Sequence, residues 1–378
     1  MKRPEADQAI GGITLFRLRL PLARPYHLAF GDLTAFETVL IHVRTADQDE
    51  GWGETTPLPG YSHEDSESVW RLVVDWSRAL RGRSVAEALA FLDDRSLHAP
   101  FACAAIATAL ESLARTTVSG RSASRHEGSG GPMVGHPDAG ARLPLIGTVG
   151  SVVPAEVAAE VPRLLDAGHT SLKLKVGTDV ALDLANVRAA QEALGNGGSL
   201  RIDANQGYSL EETQEFLDHL DPAGVELFEQ PFPANRWDWM EALGGDVPVP
   251  LMLDESIAGE DDLSRARDLP GVRYVKFKLM KAGSRTRLLR LMDRASALGL
   301  GVVVGNGVAG EIGCLHEAWA VMGRLDLPGE MNGFRKPIAS LLAEPLQVVR
   351  GELVVPPISG ITVVRERLDG CCVGFASV

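Results

Sequence analysis

Short runs of alternating apolar and polar residues recur through the middle of the chain, and each run closes with an ionisable residue. In SLKLKV, the side chains of Leu172, Leu174 and Val176 share one face of an extended strand, whereas Lys173 and Lys175 share the other. RIDAN and VKFK alternate in the same way. The residues that close five such runs are Lys175, Asp203, Glu229, Asp254 and Lys278. We expect the apolar faces to contact surrounding helices and the polar faces to point toward a barrel axis.

The spacing of these five residues predicts the architecture. Each follows the previous one after about 25 residues, which is close to the length of one strand, one helix and two loops. In VKFK, Lys276 shares the polar face with Lys278. A charged residue that recurs once per strand, at the end of the strand, is typical of a parallel barrel with its chemistry at the C-terminal rim.

The rest of the chain shows other patterns. Residues 13 to about 43 read as strands, GWGE leads into a further short strand, and residues 66–117 are helical and rich in Ala and Leu. We therefore expect an N-terminal α+β domain over 13–143, a β/α catalytic domain over 144–330 and a C-terminal segment over 331–378 that returns to the first domain. Residues 119–141 are rich in Gly, Ser, Pro and His, which predicts a mobile linker or inserted loop.

Composition and charge exclude several classes of function. The net charge is −13 and there is no basic run, so nucleic acid and anionic membranes are poor partners. The cysteines at 103, 314, 371 and 372 have no metal-ligand spacing, which favours a reduced, cytoplasmic protein. We expect neither export nor membrane spanning, because MKRPEADQAIGG contains no apolar segment and no uninterrupted apolar run reaches about 18 residues.

Three carboxylates at one barrel mouth require a cation. Taken singly, a lysine at a strand end is usually a solvated surface group, and Asp254 in LDES could cap a helix. Such explanations do not account for the order and spacing of all five residues. Asp203, Glu229 and Asp254 would repel one another unless a cation lay between them. Mg²⁺, a hard ion that prefers oxygen ligands, meets this need, with one ion expected per subunit and Mn²⁺ able to replace it.

The lysines are suited to proton transfer. A free lysine has a pKa of about 10.4 and is a poor base at neutral pH. Lys173 and Lys175 would lie about 7 Å apart on one strand face, close to the cation, and each positive neighbour would lower the pKa of the other amine. Lys278 would face the same ligand from the opposite side. Two such bases suit removal of a proton next to a substrate carboxylate, with the metal ion stabilising the resulting enolate.

Five motifs follow one another in a fixed order between about residues 171 and 284: LKLKVG, RIDANQGYS, FEQP, LMLDES and KFKLMKAGS. PLARPYHLAFGDLTAFETVLIHV and GWGETTPLPGYSHE precede them. As an ordered set these pieces resemble the enolase superfamily, in its muconate-lactonizing-enzyme-like subgroup. The resemblance implies an α/β fold, a modified TIM-type (β/α)7β barrel, with an α+β capping domain built from the N-terminal region and the C-terminal tail.

The resemblance also implies roles for individual residues. Asp203, Glu229 and Asp254 would be the Mg²⁺ ligands, and Lys175 and Lys278 would be the acid/base pair. The residues that would assist them are Lys173, beside the base, and Asn205 and Glu255, behind the metal ligands. We expect the leading activity to be racemisation or epimerisation of an N-acylated amino acid or a related carboxylate, because one lysine can remove the proton and the other can return it to the opposite face.

Several alternatives remain open. A syn-dehydratase or cycloisomerase, similar to o-succinylbenzoate synthase or muconate cycloisomerase, would use the same lysines. A dipeptide epimerase is less favoured, because the Asp-x-Asp pair associated with those enzymes is absent where Asp326 is followed by Leu327 and Pro328. A Schiff-base aldolase would be trapped by borohydride and indifferent to EDTA. A binding protein with a fossil site would bind Mg²⁺ without exchanging α-protons.

Substrate specificity is expected to depend on the early loop and on the last barrel strands. The Gly-terminated segment 26–31, with Tyr26, and the rim residues Asn306 and Glu330 would contact the distal part of the substrate. The expected partners are a small-molecule carboxylate and further copies of the chain in a homo-oligomer.

Overall fold

The computed structural model describes residues 8–28, 31–58, 63–116, 140–358 and 361–378. Residues 119–139 of the predicted linker lie outside these ranges. The strands are β1 (Ile10–Leu28), β2 (Gly31–Thr45), β3 (Glu50–Thr55), β4 (Ala141–Pro144), β5 (Gly147–Thr148), β6 (Ser171–Lys175), β7 (Ser199–Asp203), β8 (Val225–Glu229), β9 (Leu251–Leu253), β10 (Val272–Phe277), β11 (Gly301–Val304), β12 (Gln347–Val349), β13 (Glu352–Val355) and β14 (Cys372–Ser377).

The helices cover the segments between these strands. They are α1 (Ser66–Leu80), α2 (Val85–Asp93), α3 (Pro100–Thr116), α4 (Pro154–Asp166), α5 (Val180–Leu194), α6 (Leu210–His219), α7 (Trp237–Leu243), α8 (Glu260–Asp268), α9 (Leu279–Ala282), α10 (Arg285–Ala297), α11 (Glu311–Val321) and α12 (Arg365–Cys371). Their starts follow local chemistry: Ser209, for example, accepts a hydrogen bond from the Glu212 amide while the Glu212 carboxylate accepts one from the Ser209 amide.

An antiparallel sheet joins the two ends of the chain. Its strand order is β14-β1-β2-β3, with Thr14 opposite Ser377 and Phe16 opposite Phe375. The GWG sequence of β3 explains how helix α3 covers this sheet. A Cβ atom at Gly53 would lie 2.1 Å from the carbonyl oxygen of Ala105 in α3, so only glycine permits so close an approach.

A parallel sheet forms the second part of the fold. Strands β5 to β11 are neighbours in chain order, and a helix follows each strand from β5 to β10, so the chain has an α/β fold. The backbone around Gly329 contacts both edges of this sheet. Gly329 accepts a hydrogen bond from the Ile146 amide next to β5, and the Glu330 amide donates to Val304 of β11.

The predicted alternation of side chains is present in the strands. Leu172 and Leu174 are fully buried in an apolar cluster with Val157 of α4 and Val187 of α5. Lys173, on the opposite face of β6, is also buried, with only 6% of its surface exposed. The inner face of the sheet therefore holds charged groups away from water, which requires that they be paired.

Two carboxylates connect the antiparallel sheet and its helices to the parallel sheet. Glu54 of β3 accepts hydrogen bonds from the backbone amides of Gly310, Ile312 and Gly313, at the start of α11. Glu111 of α3 accepts bonds of 2.9 Å each from the amides of two residues at the start of α10, Arg285 and Thr286. Carboxylates are stabilised at helix N-termini because unpaired N–H groups point outward there.

A search for membrane-crossing helices among the described residues found none with sufficient length and apolar character.

Candidate active site

The five charged residues predicted at strand ends lie together at the C-terminal ends of the strands in the parallel sheet. Lys175, Asp203 and Glu229 are aligned with one another across β6, β7 and β8. Asp254 directly follows β9, and Lys278 directly follows β10. Because the strands are parallel and in register, their C-terminal ends bring residues that are distant in sequence to one place.

Four of these residues, Lys175, Asp203, Asp254 and Lys278, line a cavity of about 330 Å³. Lys173 also lines it. The volume lies within the range typical of small-molecule sites.

Lys173 holds three carboxylates together. Its Nζ atom lies 2.6 Å from Glu229 Oε2, 2.9 Å from Asp203 Oδ2 and 3.0 Å from Glu330 Oε2. All four side chains are buried. Charge-assisted bonds of this length are strong, because little water competes for them.

Lys276 also contacts three carboxylates, and the sequence pattern predicted no function for it. Its Nζ atom lies 2.6 Å from Glu330 Oε2, 2.8 Å from Glu229 Oε1 and 3.4 Å from Asp254 Oδ2. The side chain is 5% exposed. Its position on the polar face of VKFK was the available signal.

The two lysines assigned to proton transfer have different surroundings. Lys278 Nζ donates to both oxygens of Asp254, at 2.8 and 2.6 Å. Among the described residues, Lys175 forms no ion pair, and its Nζ atom lies 5.7 Å from the centre of the Tyr26 ring. The ammonium group of Lys278 is therefore held by a carboxylate, whereas that of Lys175 faces the cavity without one.

Electrostatic contacts determine the pKa of Lys173. Burial lowers the pKa of this amine, but Asp203, Glu229 and Glu330 together outweigh burial and raise it above its usual value. The lowered pKa expected beside a bound metal cation stays a prediction. Burial, with the nearby Asp203 charge, raises the pKa of Glu229 to about 8.

Arg201 also binds Glu330, one of the carboxylates that contact Lys173. Its side chain is fully buried and donates to Glu330 Oε1 at 2.8 Å, and to Glu226 Oε2 at 2.8 and 3.0 Å. Glu330 is therefore bonded by Lys173, Lys276 and Arg201 at once. Arg201 Nη2 also approaches the carbonyl oxygen of Pro328, which holds the segment before Glu330 against β7.

Asn205 and Glu255 lie next to the proposed ligands. The Asn205 side chain donates to Glu255 Oε1 at 3.0 Å, and its backbone amide donates to Asp203 Oδ1 at 2.8 Å. Asn205 has a left-handed backbone, with φ of 44°, which turns its amide back toward Asp203. Asp254 does not cap a helix, since α8 begins only at Glu260.

The model of the family described as enolase C-terminal domain-like matches residues 156–366, more than half of the chain. The chain belongs to the enolase superfamily. The subgroup resembling muconate lactonizing enzyme, which the motifs indicated, is also confirmed.

Individual relatives support this assignment over nearly the whole chain. Muconate cycloisomerase 1 of Acinetobacter baylyi is 28% identical over 93% of this chain and 96% of its own length. N-succinylamino acid racemase of an Amycolatopsis species is 27% identical over 95% and 96%. The crystal structure of muconate lactonizing enzyme from Pseudomonas fluorescens, complexed with muconolactone, superposes with a TM-score of 0.85 at 28% identity, over 97% of this chain and all of that one.

Enolase-superfamily membership implies a divalent metal ion. Asp203, Glu229 and Asp254 offer buried oxygen donors from three neighbouring strand ends, a donor set that fits Mg²⁺. Lysine ammonium groups contact all three side chains. Within the described residues, no three His, Cys, Asp or Glu side chains converge as metal ligands would. The donor chemistry fits, and binding would require the lysines to give up some of these contacts.

The predicted substrate contacts line the same cavity. Tyr26, Asn306 and Glu330 all border it. Residues 29 and 30 of the predicted loop lie outside the described residues. The side-chain amide of Asn306 donates to the Val308 carbonyl at 2.7 Å, and the Glu330 carboxylate accepts a hydrogen bond from Arg201. Contact of these residues with substrate stays a prediction.

Two cationic residues at the rim were missed by sequence reasoning. Lys336 and Arg335, which follow β11 by about 30 residues, both line the cavity. Lys336 Nζ donates to the Gly307 carbonyl at 2.6 Å and lies 4.3 Å from the centre of the Tyr26 ring. No periodic pattern leads to them, because they lie in and after a short 3₁₀ turn, Gly333–Arg335.

His169 and His316 have structural surroundings. His169 is buried with Nδ1 2.8 Å from the Leu145 carbonyl, and His316 Nε2 lies 2.7 Å from the Trp52 carbonyl. His63 is exposed.

Proposed function

We propose that the protein is an isomerase that removes the proton next to a substrate carboxylate, and that it racemises or epimerises an N-acylated amino acid or a related carboxylate. The observation that carries the proposal is the placement of Lys175 and Lys278. They line one cavity from strands that are four positions apart in the sheet, with carboxylates between them. A substrate held in this cavity would have an amine on each side of its reacting carbon.

The proposed architecture is a modified (β/α)7β barrel of the TIM type with an α+β capping domain. The bonds of the Gly329–Glu330 backbone to both sheet edges support closure into a barrel. Pairing of β14 with β1 supports a cap that contains both chain ends.

Asp203, Glu229 and Asp254 would hold one Mg²⁺. When bound, this ion would stabilise the negative charge that develops on the substrate carboxylate as the proton leaves. Lys175 and Lys278 would take the proton from one face and return it to the other. Lys173, through its bonds to Asp203 and Glu229, would hold two ligands in place. Asn205 would orient Asp203 through the backbone amide bond described above.

The second candidate is a cycloisomerase or syn-dehydratase, and one observation favours it. Lys278 is bound to both oxygens of Asp254, whereas Lys175 forms no ion pair with a described residue. This asymmetry suits an enzyme in which Lys175 does most of the proton transfer and Lys278 acts electrostatically. Muconate cycloisomerase 1 is among the relatives with near-complete coverage.

Incubation in D₂O separates these functions. The purified protein with Mg²⁺ would be offered both enantiomers of a set of N-succinylamino acids, and cis,cis-muconate in parallel. A racemase would incorporate deuterium at the α-carbon, seen by NMR, while optical rotation decays. A cycloisomerase would form lactone from muconate with no racemisation. The variant Glu229→Gln is the matched inactive control. Full activity in excess EDTA, or no exchange and no product with any substrate while Mg²⁺ is bound, would contradict the proposal.

A further inference from the structure

Lys276 lies between two of the three proposed metal ligands. Its ammonium group lies 2.8 Å from Glu229 Oε1, 3.4 Å from Asp254 Oδ2 and 2.6 Å from Glu330 Oε2. The side chain reaches this position from the inner face of β10, two residues before Lys278. A divalent ion shared by Glu229 and Asp254 would need much of the same space.

Each carboxylate bonded to Lys276 also has another cation. Lys173 contacts Glu229 and Glu330, Arg201 contacts Glu330, and Lys278 contacts Asp254. Lys276 is therefore not needed to prevent a buried carboxylate from being left without a partner. Its removal would leave the remaining ion pairs in place, so a neutral replacement should be tolerated.

The charge count shows what Lys276 changes. Four buried carboxylates (Asp203, Glu229, Asp254 and Glu330) face three ammonium groups (Lys173, Lys276 and Lys278), while Arg201 is shared with Glu226. With all four carboxylates ionised, as metal binding requires, the group carries about one net negative charge with Lys276 and about two without it. A divalent cation is attracted less strongly by the smaller negative charge, and buried charges are only weakly screened.

We infer that Lys276 is a built-in counter-ion that competes with the divalent cation for Glu229 and Asp254 and weakens metal binding to the free protein. The inference rests on the proposed function, since it assumes that these carboxylates are the metal ligands. An anionic substrate would supply the missing negative charge, so metal and substrate would bind cooperatively, each raising the affinity for the other.

The test is a titration of the free protein with Mn²⁺ alone, followed by electron paramagnetic resonance and calorimetry. Lys276→Met and Lys276→Gln remove the charge, and Lys276→Arg retains it. The Kd for Mn²⁺ is expected to fall about tenfold or more in both neutral variants, since a full charge within a few ångströms is removed. It should not fall in Lys276→Arg. Lys336→Met is the matched control, since Lys336 lines the same cavity without an ion pair to any described carboxylate.

The possible results are distinguishable. An unchanged Kd in both neutral variants, folded as judged by circular dichroism, would overturn the inference and leave the proposed metal site standing. A fall of the same size in Lys336→Met would also overturn it, because general charge rather than position would then control binding. Absence of Mn²⁺ binding to every variant at millimolar concentration would overturn the metal site itself, and the inference with it.

Discussion

Two strands of the parallel sheet carry the same short pattern, and the structure gives the pattern two different environments. Lys173 and Lys175 lie at the end of β6, and Lys276 and Lys278 lie at and directly after the end of β10. The first lysine of each pair, Lys173 or Lys276, is the inner lysine and contacts three carboxylates. The second lysine of each pair, Lys175 or Lys278, is the outer lysine. The outer lysines differ, because Asp254 holds Lys278 whereas Lys175 forms no ion pair within the described part of the chain.

The comparison shows that residue type and strand position do not determine chemical state. An amine held by a carboxylate is stabilised in its charged form and is a weaker base than a free amine. If both outer lysines transfer protons, they start from unequal conditions, and a racemase must release Lys278 from Asp254 during turnover. Each prediction below tests one part of this difference.

The largest expected effect comes from the carboxylates that the two pairs share. Glu229 contacts both inner lysines. Asp203 contacts Lys173 of the first pair, and Asp254 contacts Lys278 of the second. Asp203→Asn, Glu229→Gln and Asp254→Asn should each weaken Mg²⁺ binding and nearly abolish turnover, because each removes a charged metal ligand. Calorimetric titration and a deuterium-exchange assay would measure the two effects. Normal Mg²⁺ affinity in all three variants would disprove their role as ligands.

The next effect concerns the outer lysines. In a racemase, Lys175→Ala should stop α-deuterium exchange from one enantiomer while the other still exchanges without inverting, and Lys278→Ala should show the mirror pattern. Racemisation should fall by about 10²–10⁴-fold in both variants, since each loses one acid/base group.

Two other results would show that the outer lysines do not act independently as acid and base. Equal and complete loss of exchange from both enantiomers in both variants, with Mg²⁺ still bound, would rule out two-base chemistry. A severe defect in Lys175→Ala with a mild one in Lys278→Ala would favour the cycloisomerase or dehydratase candidate.

A smaller effect should appear in stability. Lys173→Met leaves buried carboxylates with one cation fewer, which should lower the free energy of unfolding by about 3–5 kcal/mol. Lys175→Met breaks no ion pair with a described residue and should cost less than about 1 kcal/mol. Urea unfolding at neutral pH without metal would compare them. Similar losses in both variants would show that the inner and outer positions are not distinct.

The smallest effect concerns the pH dependence of stability that Glu54, outside the lysine–carboxylate contacts, should cause. Burial raises the pKa of Glu54 to about 7, well above its usual value of 4.5. The folded state therefore binds more protons than the unfolded state between these values, and stability should fall as the pH rises from about 4.5 to about 7. Glu54→Gln should reduce this slope by at most about 1.4 kcal/mol per pH unit. Burial gives Glu317 a similar pKa, so part of the slope should remain. An unchanged slope in thermal unfolding would contradict the assignment.

Much of the site could be predicted from the sequence because strand ends are a local signal. Apolar alternation located the strands, and parallel pairing then required their C-terminal residues to meet, as Lys175, Asp203 and Glu229 do. The position of Lys276 on the inner face was also readable. Its function was not, because the polar face alone does not show which carboxylates a lysine contacts.

Contacts between distant parts of the chain were beyond the sequence. Glu54 and Glu111 contact helix starts far along the chain. Glu54 closes the GWGE motif, but the motif does not show which backbone amides it contacts. The pairing of Arg201 with Glu330 likewise depends on how the sheet curves. The pKa of Lys173 was likewise beyond the sequence, since it depends on three carboxylates whose distances only the folded chain determines.

The two carboxylates at the starts of α10 and α11 also restrict how a substrate reaches the cavity. A hinge rotation between the antiparallel sheet and the parallel sheet would pull Glu54 from three backbone amides and Glu111 from two. Breaking these hydrogen bonds together would leave backbone amides without their partners, an unfavourable step repeated at every turnover. We therefore expect the two sheets to move as one body while the substrate passes through local movement at the rim, around Tyr26 at the far end of β1. Amide hydrogen exchange would show this as slow exchange at the α10 and α11 starts and fast exchange near Tyr26, with the reverse order contradicting it.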